Sequence, residues 1–279
     1  EQEARGVLSL LARLHGRWWG KENWGLIEKQ VKGILVPNHK SRAFIPLVIK
    51  DAWPKFVKWA EARGLGGAGL DLARSVGQEV IASGKGWMDE MAVAPLTLIH
   101  GDCHNENYMF REKEGGDDDL EVIALDFQLC AIGQGAFDVA NFICMSLTLE
   151  QLGEGEGQQA TGLDEQLQLH YYNELCEQVG KNRGGDSEQG RAQLEHDGYG
   201  LSAYQSRYQA GLCYTLLLEA LGQGTMDAKE LANEVTQHKR EVVFRRIFAA
   251  LQRVQGGPTF FFSKRSPSST AGSELAAAE

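Results

Sequence analysis

The chain opens on a helical rhythm of apolar positions. Val7, Leu8, Leu10, Leu11, Leu14 and Trp18 recur at intervals of three and four, the spacing that lines one face of a helix. This predicts an amphipathic helix over residues 3–19, closed by Gly20. A second helix is predicted over 46–63, with Trp53, Phe56, Val57 and Ala60 facing inward, before glycines at 64, 66, 67 and 69 break the pattern. Short apolar runs at 96–99, 108–110 and 122–125 are separated by polar or glycine-containing turns and read as strands, the last two joined by an acidic loop at 114–119. Beyond Gly135 the pattern is almost wholly helical, with segments expected at 137–149, 164–179, 194–221 and 226–254. Two glycine-rich, charged stretches, 153–157 and 180–190, read as mobile connections. From Gly256 onward a Ser/Pro/Ala-rich tail reads as disordered, with the aromatic triplet 260–262 able to dock. There is no internal repeat. The expected fold class is α+β, helix-dominated, with a few short strands carrying polar loops.

Composition narrows the partners. The 279 residues suffice for a sizeable core in one or two domains. With 28 basic and 38 acidic residues the net charge is −10, which argues against general affinity for nucleic acid or an anionic membrane, since both reward a basic surface. No run approaches the roughly 18 apolar residues of a membrane span; the longest, 139–149, is broken by Asn141, Ser146 and Thr148. The five cysteines are scattered and form no CxxC pair, the pattern of reduced, mostly buried thiols in a cytoplasmic protein. The start, Glu-Gln-Glu-Ala-Arg, resembles no signal or transit peptide. It also lacks an initiator methionine, so the expectation is that the native N-terminus lies upstream.

The chemistry concentrates between the predicted strands. In Leu98-Ile99-His100-Gly101-Asp102-Cys103-His104-Asn105-Glu106-Asn107-Tyr108, two apolar runs bracket a polar loop with an aspartate and, five positions on, an asparagine. A further apolar run delivers Leu125-Asp126-Phe127-Gln128. Phosphoryl transfer from ATP needs a carboxylate to orient the attacking hydroxyl and accept its proton. It also needs hard oxygen ligands to hold Mg²⁺ against the phosphates, all on a rigid support. An Asp, an Asn at +5 and an Asp-Phe at the end of a neighbouring strand supply these in the order that kinases use.

The His100-Gly101-Asp102 loop with Asn107 resembles the catalytic loop of the aminoglycoside phosphotransferase and choline kinase superfamily. Leu125-Asp126-Phe127-Gln128, followed by Gly135-Ala136-Phe137-Asp138-Val139-Ala140-Asn141-Phe142, resembles that superfamily's ecdysteroid-kinase-like (CHK kinase-like) branch, and the segment from Leu11 to Gly20 is similar to the helix opening its large lobe. The resemblance covers residues 1–150 clearly and the helical remainder in general character. It implies a kinase-like catalytic lobe over residues 1–255, followed by the tail at 256–279. It makes Asp102 the catalytic base, Asn107 and Asp126 the ligands of the Mg²⁺ that accompanies ATP, and Asp138 a buried acceptor bracing the loop through its backbone N–H groups. His100 and Phe127 become packing supports. The implied reaction is transfer from ATP to a hydroxyl of a small molecule; the rival is a non-catalytic binding or scaffold relative. The acceptor and the oligomeric state stay open.

Other chemistries fit less well. A metal site from His100, Cys103 and His104 lacks the paired spacings of zinc ligands, and no Gly-x-Ser-x-Gly elbow supports a hydrolase. His104 reads equally as a contact to nucleotide or acceptor and as a solvated loop histidine. Gly101 and Gln128 stand where protein kinases carry Arg before the catalytic Asp and Gly after Asp-Phe, and no Ala-Pro-Glu follows, which points to small-molecule acceptors. Gly64-Leu65-Gly66-Gly67-Ala68-Gly69 matches GxGxxG but follows a helical pattern and reads as a helix stop and link. The strand-rich, ATP-gripping lobe is thus expected to be absent from this chain, and the chain by itself is not expected to transfer phosphate.

Overall fold

The predicted opening helix forms as α1 (Gln2–Arg17) in the computed structural model, which describes residues 1–20, 23–30, 39–83, 89, 92–112, 120–152 and 162–253. Val7, Leu8, Leu11 and Ala12 are buried along one face, and the chain leaves the helix through Gly20 at φ 94°, a left-handed conformation that glycine adopts without steric cost. There follow α2 (Trp24–Gln30), α3 (His39–Ala62) and α4 (Ala68–Ser83). Helix α3 begins upstream of the expected start at Pro46 and runs through both Pro46 and Pro54. A proline signals a first turn because its missing N–H is harmless there, yet tertiary packing of Ile49, Trp53, Phe56 and Ala60, all buried, carries the helix past both. Helix α4 was not expected at all. The glycine cluster does stop α3, with Gly64 at φ 69° and Gly67 at φ 80°, but Gly69 already lies inside the next helix, so the link is short.

Among the described residues the strands form two antiparallel pairs. Strands β1 (Thr97–Ile99) and β4 (Ala131–Gly133) pair Thr97 with Gly133 and Ile99 with Ala131. Between them, β2 (Tyr108–Glu112) and β3 (Leu120–Ala124) form a hairpin pairing Tyr108 with Ala124 and Glu112 with Leu120. Strand β4, three residues long, escaped the pattern because a three-residue run has no periodicity to read.

Among the described residues five further helices follow: α5 (Gly135–Ser146), α6 (Leu163–Asn182), α7 (Ser187–His196), α8 (Leu201–Gly224) and α10 (Glu234–Arg253), with the single turn α9 (Ala228–Leu231) before the last. The expected helix at 194–221 is two helices, parted by Gly198 at φ 74° and Gly200. The expected mobile stretch at 180–190 is a structured corner: α6 continues into it, and Asp186 starts α7 with a capping box in which it and Gln189 satisfy each other's backbone N–H groups. Another box, from Asp227 and Glu230, opens α9 and divides the expected 226–254 helix. The acidic loop 114–119, the stretch 153–157 and the tail from residue 256 lie outside the described residues.

One large core joins α1, α3, α4, α5, α6, α8 and α10, with Tyr171, Tyr172, Tyr199 and Tyr204 fully buried in it. These tyrosines, with the buried Trp19 and Trp53, are packing residues. Cys103, Cys144, Cys176 and Cys213 are buried free thiols, and Cys130 is partly buried. No helix among the described residues is long and apolar enough to cross a membrane. Helices α3 and α4 approach so closely at Gly77 that a Cβ there would stand 1.9 Å from the Trp53 ring. Gly77→Ala should therefore lower stability by about 1–3 kcal/mol, read as a shift in the denaturant midpoint. Gly66→Ala, with nothing within 4 Å, should stay within about 0.5 kcal/mol of wild type.

Candidate active site

The loop after β1 turns on Gly101. Its φ is +84°, and a Cβ would stand 2.2 Å from the carbonyl oxygen of Leu129, so both the backbone conformation and the close approach of the 127–129 turn require glycine. The turn places Asp102 at the mouth of the loop with its side chain 29% exposed. Asn107, five residues on, is buried at the start of β2. Its side-chain amide donates to the Asp102 carbonyl at 2.9 Å, closing the loop on itself.

The second motif arrives through one peptide group. The N–H of Leu125 donates to the Asn107 carbonyl at 2.9 Å, extending the β2–β3 ladder by one pair. Its C=O accepts from His100 Nε2 at 2.8 Å. Because the Asp102 N–H donates to His100 Nδ1 at 3.3 Å, Nδ1 is the acceptor nitrogen and Nε2 carries the hydrogen; the ring is neutral and bonded on both edges. Asp126, the next residue, is the one non-glycine among the described residues with positive φ (56°, ψ 66°), and its Oδ1 accepts from the Gln128 N–H at 3.4 Å. An aspartate held in this region at the end of a strand is a strained position, tolerated because its neighbours fix it. The Phe127 ring lies 4.6 Å from that of His100, while Phe127 itself is 41% exposed.

Behind the loop lies Asp138, on the first turn of α5 and 1% exposed. Its Oδ2 accepts from the His100 N–H at 2.7 Å and its Oδ1 from the Gly101 N–H at 3.0 Å. His15 of α1 donates from Nε2 to Oδ2 at 3.1 Å, and its Nδ1 shares a 2.8 Å hydrogen bond with the buried Tyr171 hydroxyl of α6. Burial alone would raise the Asp138 carboxyl, but the His15 contact and the two amides outweigh it and hold it below the ordinary carboxylate range. His15 and Tyr171 were not singled out in the sequence. The available signal was a histidine at the i+4 position from Leu11, on the apolar face of the first helix.

At the mouth, the neighbouring His104 ring, 3.6 Å away, and the Asn107 amide keep the Asp102 carboxyl below its ordinary range despite partial burial. Burial instead raises Glu219 of α8, an effect to which the charge of Asp102 adds, although Glu219 is ion-paired with Arg240 of α10. Sequence reasoning missed this carboxylate because only packing brings α8 to the loop. Cys103 is fully buried, with its thiol pushed well up by desolvation. Among the described residues no three His, Cys, Asp or Glu side chains gather into a metal cluster, so His100, Cys103 and His104 form no such site. One carboxylate with one amide oxygen is instead a donor set suited to Mg²⁺, which keeps waters and takes its other ligands from phosphates.

The Asp138 network yields a stability test. Asp138→Ala leaves two buried N–H groups and His15 without their acceptor and should cost about 3–5 kcal/mol, measured by chemical denaturation. Since the folded-state carboxyl is depressed, its contribution is complete above the ordinary carboxylate range and fades as pH falls through the folded value. The gap between wild type and variant should accordingly hold at neutral pH and narrow only in strong acid.

No curated protein matches the chain. The profile of the ecdysteroid kinase-like family, however, matches residues 1–181, a span that contains α1, both strand pairs, the Asp102 loop and Asp138. The chain belongs to the ecdysteroid kinase-like family.

Proposed function

We propose that this protein is an ATP-dependent phosphotransferase acting on a hydroxyl group of a small molecule, R–OH and ATP giving R–O–phosphate and ADP. Family membership supports the kinase-type reaction in general terms. The observation that carries the reading is the Leu125 peptide, bonded on one side to Asn107 and on the other to His100. Through it, Asp126 and Asn107 stand at adjacent strand ends beside the Asp102 loop. In this reading Asp102 orients the acceptor hydroxyl and takes its proton as the O–P bond forms. Its depressed carboxyl keeps it ionised and ready to accept. Asn107 and Asp126 would hold Mg²⁺, which when bound neutralises charge on the transferred phosphate.

An apolar shelf next to these residues supports a nucleotide. Met109 and Ile123 face each other across the hairpin and are 55% and 37% exposed, and Leu125, two residues beyond Ile123, continues the same face. A flat apolar surface beside hard oxygen ligands suits a purine base attached to phosphates. The body from α1 to α10 is read as the lobe supplying base and metal ligands. Its free thiols suit a reducing, cytoplasmic setting. A small acceptor is favoured over nucleic acid by the net charge of −10.

The test uses protein expressed from its complete reading frame, screened against hydroxylated metabolites with an ADP-release readout. Asp102→Asn should cut kcat by a few orders of magnitude with little change in nucleotide affinity; near-normal turnover would remove it from the base role. Asp126→Ala and Asn107→Ala should instead lose Mg²⁺-dependent nucleotide binding, and unchanged titrations in both would contradict the metal assignment.

A further inference from the structure

Beyond its effect on the Asp102 carboxyl, His104 is tied to Asn107 twice. The Asn107 N–H donates to the His104 carbonyl at 2.9 Å, closing the short 3₁₀ turn Asn105–Asn107. The Asn107 side-chain nitrogen also lies 3.1 Å from His104 Nε2. The turn is itself anchored, because the Asn105 amide donates to the Ser146 carbonyl at the end of α5.

These contacts decide where the Asn107 amide points. The Asp102 carbonyl can only accept, so the atom 2.9 Å from it is the NH₂ group and not the oxygen. That bond alone fixes one end of the amide but not the tilt of its plane, because the terminal torsion of Asn is soft. An NH₂ group has two hydrogens and no acceptor capacity. In the neutral ring with its hydrogen on Nδ1, the lone pair of His104 Nε2 receives the second hydrogen at 3.1 Å. With both hydrogens taken, the amide plane is set and its oxygen is directed away from the loop. A single rotamer of Asn107 is thereby selected by two acceptors, one from the backbone and one from an imidazole.

We propose that His104 is a positioning residue whose Nε2 acceptor fixes the Asn107 amide so that its oxygen is presented to the divalent cation. The inference rests on the reading of Asn107 and Asp126 as metal ligands. It requires an acceptor at the reach of Nε2 and gives His104 no proton to transfer.

The experiment measures the affinity of the protein expressed from its complete reading frame for Mn²⁺–ADP by water-proton relaxation enhancement, in wild type and in the His104→Phe, His104→Gln and Asp126→Ala variants. His104→Phe keeps a flat ring without the acceptor; His104→Gln keeps an acceptor of similar reach. Loss of one neutral hydrogen bond should weaken binding about three- to ten-fold in the Phe variant. The Gln variant should stay within about two-fold of wild type, with ADP affinity in the absence of metal and the thermal midpoint unchanged in both. Asp126→Ala should abolish the enhancement. If His104→Phe matches wild type while Asp126→Ala loses binding, the positioning role is overturned and the metal reading stands. If Gln binds as weakly as Phe, the acceptor argument fails. If wild type gives no enhancement, or Asp126→Ala is indistinguishable from it, the metal reading falls and the inference falls with it.

Discussion

The structure is organised around one buried carboxylate. Asp138 takes hydrogen bonds from the backbone of His100 and Gly101 on one side and from the His15 ring on another, and Tyr171 backs His15 in turn. Through these bonds a single side chain on α5 joins α1, α6 and the loop after β1. An ionised carboxylate can be buried this deeply only where donors replace the water it has lost. Every donor must therefore be present together, and the loop conformation, the docking of α1 and the orientation of α5 become one cooperative condition.

The strands could not supply that rigidity. Two antiparallel pairs of three and five residues offer little backbone pairing and would be marginal alone. The helical core provides the support instead, and the strands deliver short polar segments from it. The Leu125 peptide then couples the two segments, with His100 as the crosspiece. Gly101 permits this by letting the 127–129 turn approach the loop within a distance that any side chain would block. The buried rear of the site is thus held by the hydrogen bonds to Asp138, whereas Asp102, Asp126 and Phe127 face outward.

The apolar face in front belongs to the same division. Met109, Ile123, Leu125, Phe127 and Leu129 are all exposed around the polar loop, although the body behind them buries most of its large apolar side chains. A chain that packs Tyr171, Tyr172, Tyr199 and Tyr204 completely has not left these five outside for want of a core. Their position beside Asp102, Asn107 and Asp126 suits the nucleotide surface proposed above.

What the sequence determined by itself was local. The apolar spacing of α1, the alternation around β2 and β3, and the Asp-x₄-Asn and Asp-Phe spacings are carried by residues near one another in the chain, so the elements and the expected chemistry could be read before any packing was known. Expectations failed where distant contacts overrode local signals. Packing carried α3 through Pro46 and Pro54, β4 exists only because β1 is there to pair with it, the Asp186 cap ordered a stretch that read as a mobile connection, and Gly198, Gly200 and the Asp227 cap broke segments whose apolar rhythm ran on. The same reason hid His15, Tyr171, Glu219 and the second tie of His104. A histidine on an apolar helical face has the same spacing whether it packs or braces a carboxylate 123 positions away. Only the tertiary structure, by bringing α1, α5 and α6 together around Asp138, decided which.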